Sequence, residues 1–129
     1  MKNISTLNSN INTTNDALDS ITDNVENRSK GIEYKTIGSD GAYSKQVSEK
    51  ADYFIIATAN AKDANANPII RIYINNSLFR MNAGGIGNSV TTFLSVSLNS
   101  GDSVKIEFES VVTNNAYNSY FIMQLKKNY

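Results

Sequence analysis

Through the first thirty positions a seam of mainly apolar residues recurs at alternating spacings of three and four: Ile4, Leu7, Ile11, Thr14, Leu18, Ile21, Val25 and Arg28. A period of 3.5 is that of the a and d positions of a coiled coil. So narrow a stripe cannot be buried by one helix, which predicts that several chains work together. Leu18 at an a position followed by Ile21 at d shifts the preference from two strands towards three. The flanking e and g positions are mostly Asn, Thr and Ala, so interhelical ion pairs contribute little and register falls to the seam. Such a rod would be roughly 35–40 Å long at about 1.5 Å per residue. Rich in Asn, Ser, Thr and Asp, it is marginal alone. The alternative is a single amphipathic helix packed on its own domain.

After Ser29-Lys30-Gly31 the period changes from 3.5 to 2, with Gly31 as the expected helix stop. Eight strands are predicted: Ile32–Ile37, Ser44–Val47, Tyr53–Asn60, Ile69–Ile74, Leu78–Asn82, Val90–Leu98, Ser103–Ser110 and Ser119–Lys126. Short strands at this spacing predict a sandwich or jelly roll. The chain then divides into a coiled-coil stalk over residues 1–30 and an all-β head over residues 31–129. Asn75-Asn76-Ser77 fits a tight hairpin, and Asn99-Ser100-Gly101-Asp102 a second turn. The expected core is Val96, Leu98, Val104, Ile106 and Phe108, with Phe54, Ile56, Ile70, Ile72, Ile74, Phe93, Phe121, Met123 and Leu125 or their alternate-face partners. Tyr53-Phe54-Ile55-Ile56-Ala57 is apolar on both faces, as expected if one face meets the core and the other a neighbouring subunit.

Composition narrows the chemistry. The 129 residues hold twelve Lys plus Arg and twelve Asp plus Glu, in no block of like charge, so neither nucleic acid nor an anionic membrane is an expected partner. Absence of Cys and His removes disulfides, thiol nucleophiles, imidazole bases and most zinc or iron sites. Met1-Lys2-Asn3-Ile4 opens no signal peptide, and no run approaches a membrane span, so synthesis in a cytoplasm without membrane insertion is expected. Abundant Asn, Ser, Ile, Lys and Tyr point towards a low-GC bacterium or its viruses.

Two stretches carry a resemblance. Leu98-Asn99-Ser100-Gly101-Asp102-Ser103-Val104-Lys105-Ile106 resembles the L-x-x-G-D-x-V strand–turn–strand of trimeric C1q/TNF-like jelly rolls. Tyr117-Asn118-Ser119-Tyr120-Phe121-Ile122-Met123-Gln124-Leu125 is similar to their closing strand, and Ala51–Ala59 loosely to an early core strand. An Asn-rich stalk leading into such a head also resembles the receptor-binding tips and short fibres of bacteriophages. The resemblance implies a homotrimer on a virion, in contact with other virion proteins and with a glycan of the host cell surface.

Candidate sites are few. Asp63-Ala64-Asn65-Ala66-Asn67 opens like a calcium loop, but Pro68 and Ile74 stand where Gly and Glu are required, so an ordinary turn is expected and no metal. Gly84-Gly85-Ile86-Gly87-Asn88 lacks the Lys-Ser or Lys-Thr and the helix of a phosphate loop, and reads as a mobile loop. Asp16, Asp19 and Asp23 read as a solvated helix face. Arg28 reads as an anion site on a three-fold axis or the point where the seam splays. No elbow or triad supports a hydrolase, and no cofactor is expected. Tyrosines 43, 73, 117, 120 and 129 are candidate sugar-stacking groups. In the loop Thr113–Asn118, Asn114, Asn115, Tyr117 and Asn118 are the first choice for a ligand contact, since amides beside an aromatic suit polyhydroxylated ligands. The leading expectation is a non-enzymatic phage fibre protein that adsorbs to a cell-wall carbohydrate. Its rivals are a head-fibre, collar or decoration protein, a spore-surface trimer, and a polysaccharide-degrading enzyme using Asp40, Asp52, Glu107 or Glu109.

Overall fold

The computed structural model describes residues 2–26, 29–113 and 116–125, with the side chains of the helix described over residues 6–18. One helix, α1 (Lys2–Glu26), precedes eight strands: β1 (Ser29–Thr36), β2 (Gly41–Gln46), β3 (Ala51–Asn60), β4 (Ile69–Ile74), β5 (Ser77–Ala83), β6 (Ser89–Leu98), β7 (Ser103–Glu109) and β8 (Ser119–Leu125). The strands form two antiparallel four-stranded sheets, ordered β1-β8-β3-β6 and β2-β7-β4-β5. All eight predicted strands are present, the first two extended towards their N-termini by three residues each.

That extension corrects the reading of Gly31 as a helix stop. Gly31 lies inside β1, next to a register shift before Glu33. A Cβ there would stand 2.9 Å from the Phe121 ring, so the glycine lets the ring lie over the strand rather than ending a helix.

Every described side chain of α1 is exposed, including the seam residues Leu7 at 58 %, Ile11 at 48 % and Leu18 at 56 %. Over residues 6–18 the helix therefore does not bury its stripe on its own domain. Thr14 bonds its hydroxyl back to the Asn10 carbonyl at 3.0 Å. There is no acid in the first turn and no base in the last to offset the macrodipole. Ile4, Ile21 and Val25 belong to the helix, but their side chains, like all of Arg28, lie outside the described residues.

Between the sheets, Ile70, Ile72, Val104 and Ile106 from one meet Tyr53, Ile55, Leu94, Leu98 and Ile122 from the other, all buried. Each such aliphatic contributes about 1.5–3 kcal/mol. The expected phase holds on β4 and β7. On β3 and β8 the alternate-face partners point inward, with Tyr53, Ile55 and Ala57 replacing Phe54 and Ile56, and Tyr120 and Ile122 replacing Phe121 and Met123. On β6, Leu98 is buried and Val96 half-buried against the core, whereas Phe93 points out. Buried polar atoms decide the phase. Tyr53 donates its hydroxyl to the Glu49 carbonyl at 2.6 Å, and Gln124 donates its amide to the Glu49 carboxylate at 3.0 Å.

The β1/β2 flank is sealed by side chains. Tyr43 packs edge-on against Phe108 and tilted on Tyr120, Lys35 covers its ring at 4.6 Å, and Lys45 reaches Glu33 at 3.8 Å. Burial pushes the Tyr120 hydroxyl up to about 12, with Glu33 and Tyr43 adding to the effect.

The chain enters β1 at the end of the sandwich where Ser29 pairs with Leu125. At this proximal end the Leu98–Ile106 motif acts as a staple. Asp102 accepts the Asn99 N–H at 2.8 Å and the Asn75 amide at 3.0 Å, while its carbonyl accepts the Val47 N–H at 2.9 Å. The Asn75 bond, then the Asn99 N–H, hold the Asp102 carboxyl below the ordinary carboxylate value. Asn75 and Asn76 take φ of 49° and 67°, as the tight hairpin requires.

Candidate functional site

Strand register fixes which side chains each sheet presents outward, and the two outer faces differ in chemistry. On the β2-β7-β4-β5 sheet, Arg71 reaches Glu107 at 2.9 Å and Glu109 at 2.8 Å, and Lys105 sits 4.4 Å above the Tyr73 ring. These carboxylates, Glu109 first, raise the Arg71 guanidinium above its ordinary value. This is a solvated face. The outer face of the β1-β8-β3-β6 sheet carries Tyr34, Phe121, Met123, Phe54, Ile56 and Phe93 in a band across all four strands. Tyr34 is 62 % exposed and Phe93 57 %. Tyr34 lies 6.4 Å from Phe121, and Phe54 6.2 Å from Phe93, as ring centroids. Among the described residues at outward register positions of this sheet, Asp52 is the one charge, and it accepts a hydrogen bond from Ser97. A contiguous apolar band without compensating charge is the mark of a surface made to be covered.

A second apolar strip lies on β5, an edge strand whose seven residues are all exposed. Leu78, Phe79 and Met81 line it, with a bulge where the register shifts between Ile72 and Tyr73. The bulge blunts the edge for strand addition while leaving its side chains available.

The distal end, away from Ser29, gathers the loops 37–40, 61–68, 84–88 and 110–118. Three motifs singled out in the sequence thus meet at one tip. Asp63 accepts the Asn65 N–H at 2.8 Å, the local bond of an Asx turn. The glycine loop is stitched down rather than free. Gly84 donates to the Pro68 carbonyl and Gly87 to the Ala66 carbonyl, each at 2.8 Å, and the Asn88 carbonyl accepts from Ala61 at 3.0 Å. A Cβ on Gly84 would meet the Ser89 carbonyl oxygen at 2.5 Å.

Asn118 lies at the centre of this tip with 0 % exposure. Its Oδ1 accepts the Asn60 N–H at 2.8 Å, its amide donates to the Val112 carbonyl, and its own carbonyl accepts the Ile37 N–H at 3.0 Å. It ties three segments together and holds the loop from below. Tyr117, 76 % exposed, is displayed at the tip, and Ile86 in the glycine loop is also exposed. Asn114 and Asn115 lie outside the described residues, as does Tyr129. Of the other tyrosines proposed to stack on sugars, Tyr120 is buried, Tyr43 is packed in the flank and Tyr73 is covered by Lys105.

The four carboxylates considered for an enzyme are all occupied and fall at three separate places. Asp40 accepts the Val111 N–H at 2.9 Å at the tip, Asp52 binds Ser97 on the apolar face, and Glu107 and Glu109 share Arg71 on the opposite face.

Sequence reading overlooked a cleft of about 270 Å³ on the β5/β6 flank, lined by Arg80, Met81, Asn82, Thr91, Thr92 and Phe93. The signal available was a lone arginine inside the apolar run Leu78-Phe79-Arg80-Met81.

No family model matches the chain, and no curated protein matches its sequence. Solved structures do match it. GITRL from bushbaby aligns over 71 % of this chain and 75 % of its own, with a TM-score of 0.53 at 10 % identity. Rabbit GITRL covers 73 % of this chain and 77 % of its own, with a TM-score of 0.52 at 13 % identity. Pika GITRL covers 74 % and 85 %, at 0.51 and 14 %. The head is a TNF-like jelly roll. At these identities the likeness establishes the fold of the jelly roll and leaves function to its surfaces.

Proposed function

We propose that the protein is a non-enzymatic homotrimeric fibre protein of a phage virion, whose jelly-roll head adsorbs to a bacterial surface through a cell-wall carbohydrate. The observation that carries this reading is the contrast between the two outer sheet faces, one ion-paired and the other an uncharged aromatic band apart from Asp52. A second copy of this chain is the occupant of that band. Two features of the chain call for the same partner: the exposed stripe Leu7, Ile11 and Leu18, and the apolar β5 strip of Leu78, Phe79 and Met81. Band and strip are different surfaces, so they meet head to tail, an arrangement that closes into a ring when the stalk helices run parallel. Residues 1–30 then form the stalk, through Ile4, Leu7, Ile11, Thr14, Leu18, Ile21 and Val25, and residues 31–129 the head.

Three copies turn three distal tips outward, each displaying Tyr117, with Asn114 and Asn115 in the same loop. A weak site presented three times gains about 10²–10⁴ in avidity. The virion assignment rests on the Asn-rich stalk-and-head organisation.

Light scattering tests the assembly. The full chain is expected at three times its 14.2 kDa. Phe93→Asp, which alters an exposed ring, should leave each head folded by circular dichroism and reduce the mass. A monomeric wild-type chain removes the trimer, and a trimer that adsorbs to no bacterial cell leaves a structural virion role instead.

A further inference from the structure

The β5/β6 cleft has the composition of a binding site. Cross-strand register places Arg80 opposite Ile72 and Asn82 opposite Ile70, so both occupy positions that face between the sheets. At the open flank those positions look into the cleft. Arg80 has no ion pair among the described residues, whereas Arg71, one strand away, is held by two carboxylates. Asn82 donates its amide to the Thr91 carbonyl at 2.7 Å, which fixes the side chain and leaves its Oδ1 free to accept. Thr92 is 3 % exposed and lines the cleft. Met81 and Phe93 complete the lining.

We infer that this cleft binds an oxyanion, a carboxylate or a phosphate, carried on a hydroxyl-rich glycan, with Arg80 as its charge partner. The planar guanidinium offers paired donors to such a group. Thr92 and the Asn82 Oδ1 take neighbouring hydroxyls of the glycan. The choice of a glycan rests on the adhesin reading, which the inference deepens by adding an anionic subsite on the flank to the loop at the tip. Uronic acids and polyol phosphates both present this chemistry.

The test is calorimetric titration of the full chain with three probes: a glucuronic acid oligomer, a glycerol phosphate oligomer and an uncharged cello-oligomer. Saturable binding of one anionic probe, with none of the neutral one, is expected, and which anion binds identifies the source. Arg80→Gln should weaken it by about tenfold to a hundredfold, the worth of a charge-assisted hydrogen bond, and Arg80→Lys should restore part. Thr92→Val should weaken binding with the charge retained. Absence of saturable binding by both anions overturns the proposal, as does an unchanged affinity in Arg80→Gln. Light scattering on Arg80→Gln completes the test, since an altered mass assigns the arginine to assembly and refutes the ligand site. Adsorption to cells is read separately, so failure of the adhesin reading with intact titration is distinguishable from failure of the cleft.

Discussion

Replacing Asn118 by Ala should destabilise the head far more than any change at the neighbouring Tyr117, although both belong to the loop expected to meet a ligand. The substitution deletes the acceptor of the Asn60 N–H and the donor to the Val112 carbonyl in a fully buried position. Each orphaned group costs about 1–3 kcal/mol, so the loss is about 2–6 kcal/mol. That is a large fraction of the roughly 5–15 kcal/mol that holds a domain of this size. At about 5 °C per kcal/mol the thermal midpoint falls by roughly 10–30 °C. Asn118→Asp keeps the acceptor for Asn60 but buries a carboxylate against the Val112 carbonyl, so it should cost at least as much as Ala. Tyr117→Ala removes a side chain that is 76 % exposed and should change stability by less than about 1 kcal/mol. The assay is urea and thermal denaturation by circular dichroism at one fixed protein concentration, because subunit association shifts midpoints by mass action. Equal losses in Asn118→Ala and Tyr117→Ala would refute the hub reasoning, as would a loss below about 1 kcal/mol in Asn118→Ala.

Alkaline unfolding should report Tyr120. Its folded-state value of about 12 lies above the ordinary 10.0, so the folded head holds this proton more tightly than the unfolded chain. The stabilisation is complete below pH 10 and is lost as pH rises towards 12. Stability curves over that window should be flatter for Tyr120→Phe than for wild type, and parallel curves would contradict the assignment. Tyr53, raised mainly by burial and next by Glu49, contributes with the same sign and remains in the variant. At the tip, Gly84→Ala would drive a Cβ against the Ser89 carbonyl oxygen and the Pro68 ring. A loss of about 1–3 kcal/mol is expected in the same denaturation assay, and a neutral outcome would show that the loop moves aside at no cost.

Where one face of a strand is charged and the other apolar, the sequence alone determines its orientation. On β4, Ile70, Ile72 and Ile74 alternate with Arg71 and Tyr73; on β7, Val104, Ile106 and Phe108 alternate with Lys105 and Glu107, and these positions point as expected. The hairpin at Asn75-Asn76 and the turn before Asp102 were legible for a related reason, since few residues satisfy positive φ or cap a turn with a carboxylate. Gly31 misled because a glycine after a helical pattern is a common stop, and its true constraint, the Phe121 ring, comes from a strand ninety residues later. Asn118 misled in the same way. An Asn in an amide-rich loop looks like a ligand group, and nothing local reveals that Asn60 and Val112 will close over it. Arg80 was passed over because its meaning depends on an open flank created by two strands that belong to different sheets.

The strands whose phase the pattern left open are also those that bear the proposed interface. In β3 and β8 both alternating sets are apolar, Tyr53, Ile55 and Ala57 against Phe54 and Ile56, and Tyr120 and Ile122 against Phe121 and Met123. Had one set been polar, register would have been unambiguous and the outer face would have been soluble without a partner. The ambiguity therefore carries information about assembly. A strand that is apolar on both sides in a two-layer fold presents one apolar set outward, and here the exposed Tyr34 on β1 and Phe93 on β6 extend that outer set to both edges of the sheet. Substituting polar residues along the outer set should make the phase legible and the head monomeric in a single step, so foldability and assembly separate cleanly at these positions.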